Sequence, residues 1–415
     1  MKLPQRRPAT KKLSRIQLKG QIKDISVTGL THHGQGVAKI NGKTLFIENA
    51  LPGEQVDIKI IEDQPQYSLA KVTHWHHYAE DRTQPFCQYY GECGGCDLQH
   101  LAYPSQLHWK QQNFINQLES QLDTRKLEVL PMLADEDRHY RRRARLFLTK
   151  DSKTKQPLLG FRKARSNQVI DIEQCPILTP ELNQAFSKAR FNLLPLATRQ
   201  TKELQLAKAE NGVWLTMEGY YEQPASQQPY YTVNNLRLHF DPNGFIQVNE
   251  AVNNLLVEQA LSWLKLSKKD CLLDLFCGNG NFSIAASKQA GLVVGVEGAA
   301  SALKHAQNNA QYNNCPNLEF FQADLFQDCQ HQAWWNKKYN SIILDPGRMG
   351  AKLVCEHLSM LAADQILYIS CQSDTLIRDL KLLEQQNYRL VKCQLFDMFP
   401  HTQHFETMVL LHKKT

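Results

Sequence analysis

The sequence predicts an α/β protein built on a doubly wound parallel sheet, preceded by a mixed α+β region and, at the N-terminal end, a small β-barrel of OB type. Three observations lead there. Past residue 240, short apolar strands alternate with helical segments: LLDLF (272–276), LVVGVE (292–297), LEFFQAD (318–324), SIILDP (341–346) and QILYIS (365–370). That is the pattern of a parallel sheet covered on both faces. Residues 16–73 hold short β-rich runs separated by Gly34, Gly36, Asn41–Gly42 and Pro52–Gly53, which suits five strands in a small barrel. The chain is also 415 residues long, more than one ordinary core organises. The pattern divides it at 14–74, 75–235 and 236–415.

Composition narrows the class. Hydrophobic residues are 42% and charged residues 21%, which excludes wholesale disorder. No apolar run approaches the roughly 20 residues that span a bilayer. The opening MKLPQRRPATKKLSR is basic but lacks the apolar stretch of a secretory signal. The expectation is a cytoplasmic protein without a membrane partner. Eleven cysteines in such a chain are read as ligands, nucleophiles or core residues before disulfides.

Between barrel and sheet, residues 80–100 are rich in cysteine and turns. Residues 103–122 read as a helix with Leu107, Trp109, Phe114, Ile115 and Leu118 as its apolar positions. Residues 127–235 mix strands and short helices, broken by Pro195 and YYEQPASQQPYY (220–231).

The net charge of +7 is mild, but its distribution is not. Lys2, Arg6, Arg7, Lys11, Lys12, Arg15, Lys19 and Lys23 are opposed within 1–24 only by Asp24. A second block runs from Arg138 through Arg141, Arg142, Arg143, Arg145, Lys150, Lys153, Lys155, Arg162 and Lys163 to Arg165, opposed only by Asp151. Such segments suit a polyanion, because each cation that meets a phosphate releases a counterion; solvated surface is the plainer alternative. In YRRRARL (140–146), strand alternation puts Arg141, Arg143 and Arg145 on one face.

The first parallel strand ends in DLFCGNGNFS (274–283). Gly278 and Gly280 allow a tight turn and close approach of backbone to a ligand. Glu297 closes the next strand, 23 residues after Asp274, where a ribose diol is gripped in such folds. Asp324 and Asp345 close the two that follow. Four carboxylates at successive strand ends face one crevice and are too spread for a metal cage. The third glycine of a dinucleotide fingerprint is missing, so S-adenosylmethionine, a cation with a ribose diol and no pyrophosphate, is the better ligand.

The fifth strand ends in YISCQSDTLIRDL (368–380), placing Cys371 on the same rim before a helix, where a helix N-terminus lowers a thiol pKa. A buried small hydrophobe is the alternative. In HTQHFETMVLL (401–411), Glu406 interrupts an apolar strand; it is either a functional acid or an edge residue. A thiol, an acid and a methyl donor on one rim suit methylation at C5 of uracil. A thiolate added at C6 makes C5 nucleophilic, and a base then removes the C5 proton.

DLFCGNGNF, LDPGRMG, YISC, PHTQHFE and FIQVNE (245–250) resemble the RNA uracil-5-methyltransferase family over essentially the whole chain. GQGVAKING and LPGE resemble a TRAM domain. The resemblance implies S-adenosylmethionine as methyl donor, bound by Gln247, Phe276, Asn281, Glu297, Asp324 and Asp345. It implies Cys371 as nucleophile, Glu406 as base and Phe245 as a stacking platform. It also implies a monomer acting on one uridine of 23S rRNA, with another rRNA site or a tRNA as alternatives. Two motifs depart from the family's form: CQSDT stands for CNPAT, and DPGR for DPPR. They are the only support for a further reading, an RNA-binding assembly factor with a vestigial donor site.

Cys87, Cys93 and Cys96 form C-x5-C-x2-C, and Cys175 follows 79 positions later. Four thiolates suit zinc or a [4Fe–4S] cluster, and spacing alone leaves both open. The resemblance implies the cluster, with a structural role. A radical redox enzyme would need a C-x3-C-x2-C run, which the sequence lacks.

Overall fold

The structure, a computed structural model, describes residues 17–224 and 228–414. Lys2, Arg6, Arg7, Lys11, Lys12 and Arg15 of the first basic block lie outside the described residues. The chain forms two compact units. One runs to Gln84 and takes in His100–Ala102; the other is Pro85–Gln99 with everything from Tyr103 onward.

The first unit is a single sheet of β1 (Gln21–Ser26), β2 (Gly29–Leu30), β3 (Gly36–Ile40), β4 (Lys43–Glu48), β5 (Gln55–Asp63) and β6 (Tyr67–His77), in the order β1-β5-β6-β4-β3-β2. The strand beyond the five expected is β2, two residues paired with β3. Asn41 and Gly42 both take positive φ (49° and 82°) and join β3 to β4, the two-residue turn that matches strand twist. Ala38, Leu45, Ile47, Val56, Ile58 and Ala70 are fully buried and give the unit its own core. Glu54, 1% exposed, is held by Arg82, Trp75 and the backbone of Leu51.

The second unit begins with α1 (Tyr103–Glu119), with Pro104 in its first turn, where a missing N–H costs nothing. Its buried face is Gln106, Lys110, Phe114 and Leu118, spaced four apart. Leu107, Trp109 and Ile115 are only partly buried. The expected all-apolar stripe is therefore half polar. Next come β7 (Glu128–Val129), β8 (Arg143–Lys150), β9 (Pro157–Gly160), α2 (Pro180–Leu193), β10 (Lys202–Ala209), β11 (Gly212–Met217) and β12 (Tyr220–Glu222). β8 to β12 form an antiparallel sheet in the order β12-β11-β10-β8-β9. Ala144, Leu146 and Leu148 of β8 pack toward Leu182, Phe186 and Leu193 of α2. Thr179 caps α2 by accepting from Leu182 N. Arg141, Arg143 and Arg145 keep the expected common face, while Arg142 turns inward and is 1% exposed.

A hairpin of β13 (Tyr230–Val233) and β14 (Leu236–His239) leads to α3 (Glu250–Leu264). The alternation follows: β15 (Cys271–Leu275), α4 (Ser283–Ser287), β16 (Leu292–Glu297), α5 (Ala300–Tyr312), β17 (Leu318–Gln322), β18 (Ser341–Leu344), α6 (Lys352–His357), β19 (Gln365–Ser370), α7 (Ser373–Gln385), β20 (Tyr388–Phe396) and β21 (Glu406–Lys413). The sheet order is β17-β16-β15-β18-β19-β21-β20-β7. β15 to β19 are mutually parallel, and β21 runs antiparallel to both neighbours. The C-terminal ends of the parallel strands and the start of β21 thus share one edge. Strand order reverses between β15 and β18, the point where such sheets bind ligands. Among the described residues, no helix is long and apolar enough to cross a membrane.

Candidate active site

The edge is built outward from β15. Asp274, the strand's fourth residue, is fully buried and accepts from the Ser283 hydroxyl through Oδ2. Its other oxygen, Oδ1, has no hydrogen-bond partner in the protein, and neither does the buried Nδ2 of Asn279. The chain then turns through Phe276, which holds φ = 65°, a conformation costly for a side chain of this size. Gly278 and Gly280 follow at φ = 55° and 95°. Open space lies where a Cβ of Gly278 would stand, whereas one on Gly280 would press on Ile284. Gly278 is thus available for close approach, and Gly280 serves packing. Two orphaned buried atoms beside an open glycine turn are what a polar ligand would complete.

Glu297 closes β16 and accepts from Gly278 N at 3.0 Å and Ala299 N at 2.8 Å, so the acid braces the glycine turn. Asn281 exchanges amide bonds with Asn253 at 3.0 Å each way. Gln247 is 8% exposed, and its carbonyl accepts from Arg142 Nε at 2.8 Å. Asp324 is exposed, and its carboxylate accepts from Phe326 N at 3.0 Å. Phe326 lies 5.7 Å from the Phe276 ring. Phe245 is 74% exposed.

Charge links the other acids. Burial raises Asp274 to about 7, with Glu297 contributing. Burial likewise raises Asp345, beyond β18, to about 7, with Asp274 contributing. Glu406 is 5% exposed and is pushed well above the usual carboxyl range by burial and then by Asp345. Glu406 opens β21 rather than interrupting it, opposite Phe396. β21 lies between β19 and β20, so Glu406 is not an edge residue.

Cys371 follows β19 and reverses one expectation. Its thiol is pushed up to about 12 by burial, then by Glu406 and Asp345, with Arg348 pulling the other way. α7 does begin two residues later, but a helix terminus offers only about half an elementary charge. Burial beside two carboxylates outweighs it. Cys371, Glu406 and Asp345 are electrostatic neighbours on adjacent strand ends.

Cys371 and Arg348 also line a cavity of about 500 Å³ that contains Cys87, Cys93, Cys96 and Cys175. Arg141 and Arg145 enter its wall from the β8 side, with Tyr89, Phe147 and Phe161 as aromatic surface. Arg348, in the DPGRMG motif, was not singled out by residue type or spacing; its place beside Cys371 comes from the fold. The cysteine loop is pinned by Gly94 N to Arg162 O at 3.0 Å and Ala164 N to Glu92 O at 2.8 Å. Cys175 N donates to Asn183 of α2 at 2.9 Å. Burial pushes Cys93 up to about 11 and raises Cys96 and Cys175, and the neighbouring thiols add to each shift. Among the described residues, no three His, Cys, Asp or Glu side chains converge tightly enough for a single metal ion. Four thiols line one concavity and each disfavours its neighbour's negative charge, a donor set whose chemistry suits a cationic metal group.

The sheet and its rim define a donor-binding α/β transferase. The tRNA (Uracil-5-)-methyltransferase family model matches residues 230–414, and the TRAM domain model matches 17–73. A Vibrio parahaemolyticus protein named 23S rRNA (uracil(1939)-C(5))-methyltransferase RlmD is 38% identical, covering 96% of this chain and 98% of that protein. The Haemophilus parainfluenzae protein of the same name is 37% identical over 98% and 99%. The crystal structure of Pyrococcus abyssi tRNA (uracil-54, C5)-methyltransferase in complex with S-adenosyl-L-homocysteine superposes with a TM-score of 0.71. It is 21% identical and covers 93% of this chain and 99% of that one. The chain belongs to the RNA uracil-5-methyltransferase family.

The raised Cys371 thiol is testable directly. A thiol with a pKa of about 12 stays protonated through the neutral range, and only the thiolate is alkylated. Iodoacetamide labelling of Cys371 in ligand-free protein, followed by peptide mass mapping, is expected to accelerate about tenfold per pH unit from pH 7 to beyond pH 10. A plateau near pH 9 would mean an unperturbed thiol.

Proposed function

We propose that this chain transfers a methyl group from S-adenosylmethionine to C5 of one uridine in 23S rRNA, the site numbered 1939 in the names of its relatives, through a covalent Cys371–C6 adduct. The observation that carries the chemistry is the mutual proximity of Cys371, Glu406 and Asp345 on one rim. The near-full-length likeness to the ribosomal enzymes supports the substrate. Residues 236–415 perform the transfer, while 14–74 and 75–235 hold flanking RNA.

Gln247, Phe276, Asn281, Glu297, Asp324 and Asp345 would hold the donor, with Glu297 suited to a ribose diol and the buried acids to a cation. When bound, S-adenosylmethionine supplies an electrophilic methyl on a positively charged sulfur. The target base must leave its stack to expose C6, and the end of the cavity lined by Cys371, Arg348, Phe399, Thr402 and His404 is suited to receive it, the end lined by the four cysteines being left to the group they hold. Cys371, as the thiolate with its proton given up to solvent, bonds through sulfur to C6, and the ring's C5–C6 π pair moves onto C5 and O4. C5 would take the methyl as the methyl's bond to the donor sulfur breaks, leaving S-adenosylhomocysteine. Glu406 then removes the C5 proton, the C5–C6 double bond re-forms, and the S–C6 bond breaks to release Cys371. A carboxylate must be ionised to act as base; burial and then Asp345 push the Glu406 carboxyl well above its usual range, so positive charge nearby would favour its action as a base.

Cys87, Cys93, Cys96 and Cys175 would hold a [4Fe–4S] cluster. Their convergence on one cavity supports a shared four-thiol site, and the family resemblance favours the cluster over zinc. The cluster's contribution is to fix the loop 87–99, and no step passes through it.

Cys371→Ala is expected to abolish transfer of labelled methyl to 23S rRNA while donor affinity, read by calorimetry, stays within about twofold; residual turnover above background would remove Cys371 as nucleophile. Glu406→Gln is expected to trap a methylated protein–RNA adduct resistant to denaturing gel electrophoresis, because elimination stalls. Anaerobically purified protein is expected to carry about four irons and four acid-labile sulfides per chain, by metal and sulfide assay; one zinc instead would overturn the cluster.

A further inference from the structure

The polar half of the buried face of α1 bears on Glu406. Lys110 is completely buried, as is Asp397, and their Nζ–Oδ1 distance is 2.6 Å. The same ammonium donates to Phe399 O at 3.1 Å and His404 O at 3.0 Å, so its three donors all go to the segment 397–405, which ends at Glu406. Asp397 is held from the other side by Tyr103 Oη at 2.8 Å.

This segment links β20 to β21, and within it Thr402 N and Oγ1 donate to Phe399 O at 3.2 and 2.8 Å and His404 N to Thr402 Oγ1 at 3.1 Å. Its main chain is also fixed from outside. Gln106 Oε1 accepts from His401 N at 3.1 Å, and Gln106 Nε2 donates to Leu98 O at 3.0 Å. His401 takes φ = 63°, and its carbonyl accepts from Asp97 N at 2.9 Å and Leu98 N at 3.0 Å. The residues immediately after Cys96 therefore bond the loop that delivers Glu406. Phe399, Thr402 and His404 of that loop line the cavity that holds Cys371.

We propose that Lys110 is a positioning residue for Glu406. From α1 it fixes the 397–405 loop at three points and so sets the distance between the carboxyl and the adduct, with the cysteine loop fixing the same segment at His401. A buried ion pair contributes little net stability against an apolar replacement of equal volume, but it does specify geometry. The proposal rests on Glu406 being the base, and its consequence is confined to the last step: proton removal and release of Cys371.

The test compares Lys110→Met, Glu406→Gln and the parent chain on 23S rRNA with labelled S-adenosylmethionine. The expected result for Lys110→Met is kcat lowered about 100-fold, accumulation of the methylated adduct as in Glu406→Gln, and KM for RNA and donor affinity within about twofold of the parent. Because Lys110→Met strands a buried carboxylate, Lys110→Met/Asp397→Asn removes both charges and keeps an acceptor for Tyr103; the same result is expected from it. Parent-like kcat, or a lower kcat without adduct, would overturn the proposal, as would a double variant too unstable to purify. If Glu406→Gln traps adduct and the Lys110 variants do not, only the role of Lys110 fails. If Glu406→Gln traps none, the reading of the base fails and takes this one with it.

Discussion

The site depends on one electrostatic constraint: acids and a thiol are buried together where the parallel strands end. Glu297 acts on Asp274, Asp274 on Asp345, Asp345 on Glu406, and both Asp345 and Glu406 on Cys371. Sheet order enforces the sequence, since β15, β18, β19 and β21 are consecutive neighbours. No strand could move without carrying its acid. In a low-dielectric interior such groups shed charge by taking protons rather than remaining ionised side by side. The ligand-free protein is thus poised with Asp274 and Asp345 near neutrality and Cys371 as a thiol. On the proposed function, a sulfonium entering the crevice would be the missing counter-charge, and its attraction would be strongest for the ionised forms. Donor binding and activation of Cys371 and Glu406 would then be one electrostatic event.

Regular structure alone does not bring Glu406 and the cysteine loop into place; buried polar contacts do. Lys110, Asp397 and Tyr103 are one connected network, and Gln106 with Leu98 and His401 is a second on the same helix face; such networks specify geometry only when their members are satisfied. Arg142 is a second buried cation, bonded through Nε to Gln247 O while its two terminal nitrogens have no hydrogen-bond partner. Its guanidinium lies 4.5 Å over the Tyr231 ring, and Tyr231 Oη reaches Asn281 at 3.2 Å. Tyr231 thereby links Arg142 to Asn281 after the glycine turn, while Arg141 and Arg145 of the same run face the cavity.

Much of this was legible in the sequence, for physical reasons. Parallel strands buried on both faces show as uninterrupted apolar runs, so LVVGVE and QILYIS match β16 and β19 residue for residue, and an acid or cysteine just past such a run must lie at the strand-end edge. Asn41–Gly42 required positive φ and has it. Residues buried for their polarity were not legible. A helical template reads Leu107 and Trp109 as the inner face of α1, whereas Lys110 and Gln106 occupy it because their partners, 287 and 295 residues away, were invisible. Arg142 was counted with its neighbours as surface charge. The thiol of Cys371 was expected to be acidic because the helix after it is local and readable; the acids that oppose it, Glu406 and Asp345, come from other strands.

The two departures from the family's motifs can now be weighed. Nothing lies within 4 Å of where a Cβ on Gly347 would stand, so proline's absence from DPGR removes no packing. Its effect is mainly on the freedom of the unfolded chain, about 0.4–1 kcal/mol. What holds that loop is elsewhere. Asp379 Oδ2 accepts from Ala351 N and Tyr368 Oη at 2.6 Å each, and Thr375 Oγ1 donates to Arg348 O or Gln372 O, each at 3.2 Å. Gly350 has φ = 71° with Asp379 and Thr375 against it, leaving no room for a side chain. In CQSDT the threonine that ties the two loops is retained, and Asp374 points away to Gln117 at 2.6 Å. The changed residues take part in this loop mainly through bonds that do not need the family's residue types, Gln372 through its main chain and Asp374 through Gln117, and the bonds that carry Arg348 to the cavity wall beside Cys371 are intact. That argues for a working site rather than a vestigial one.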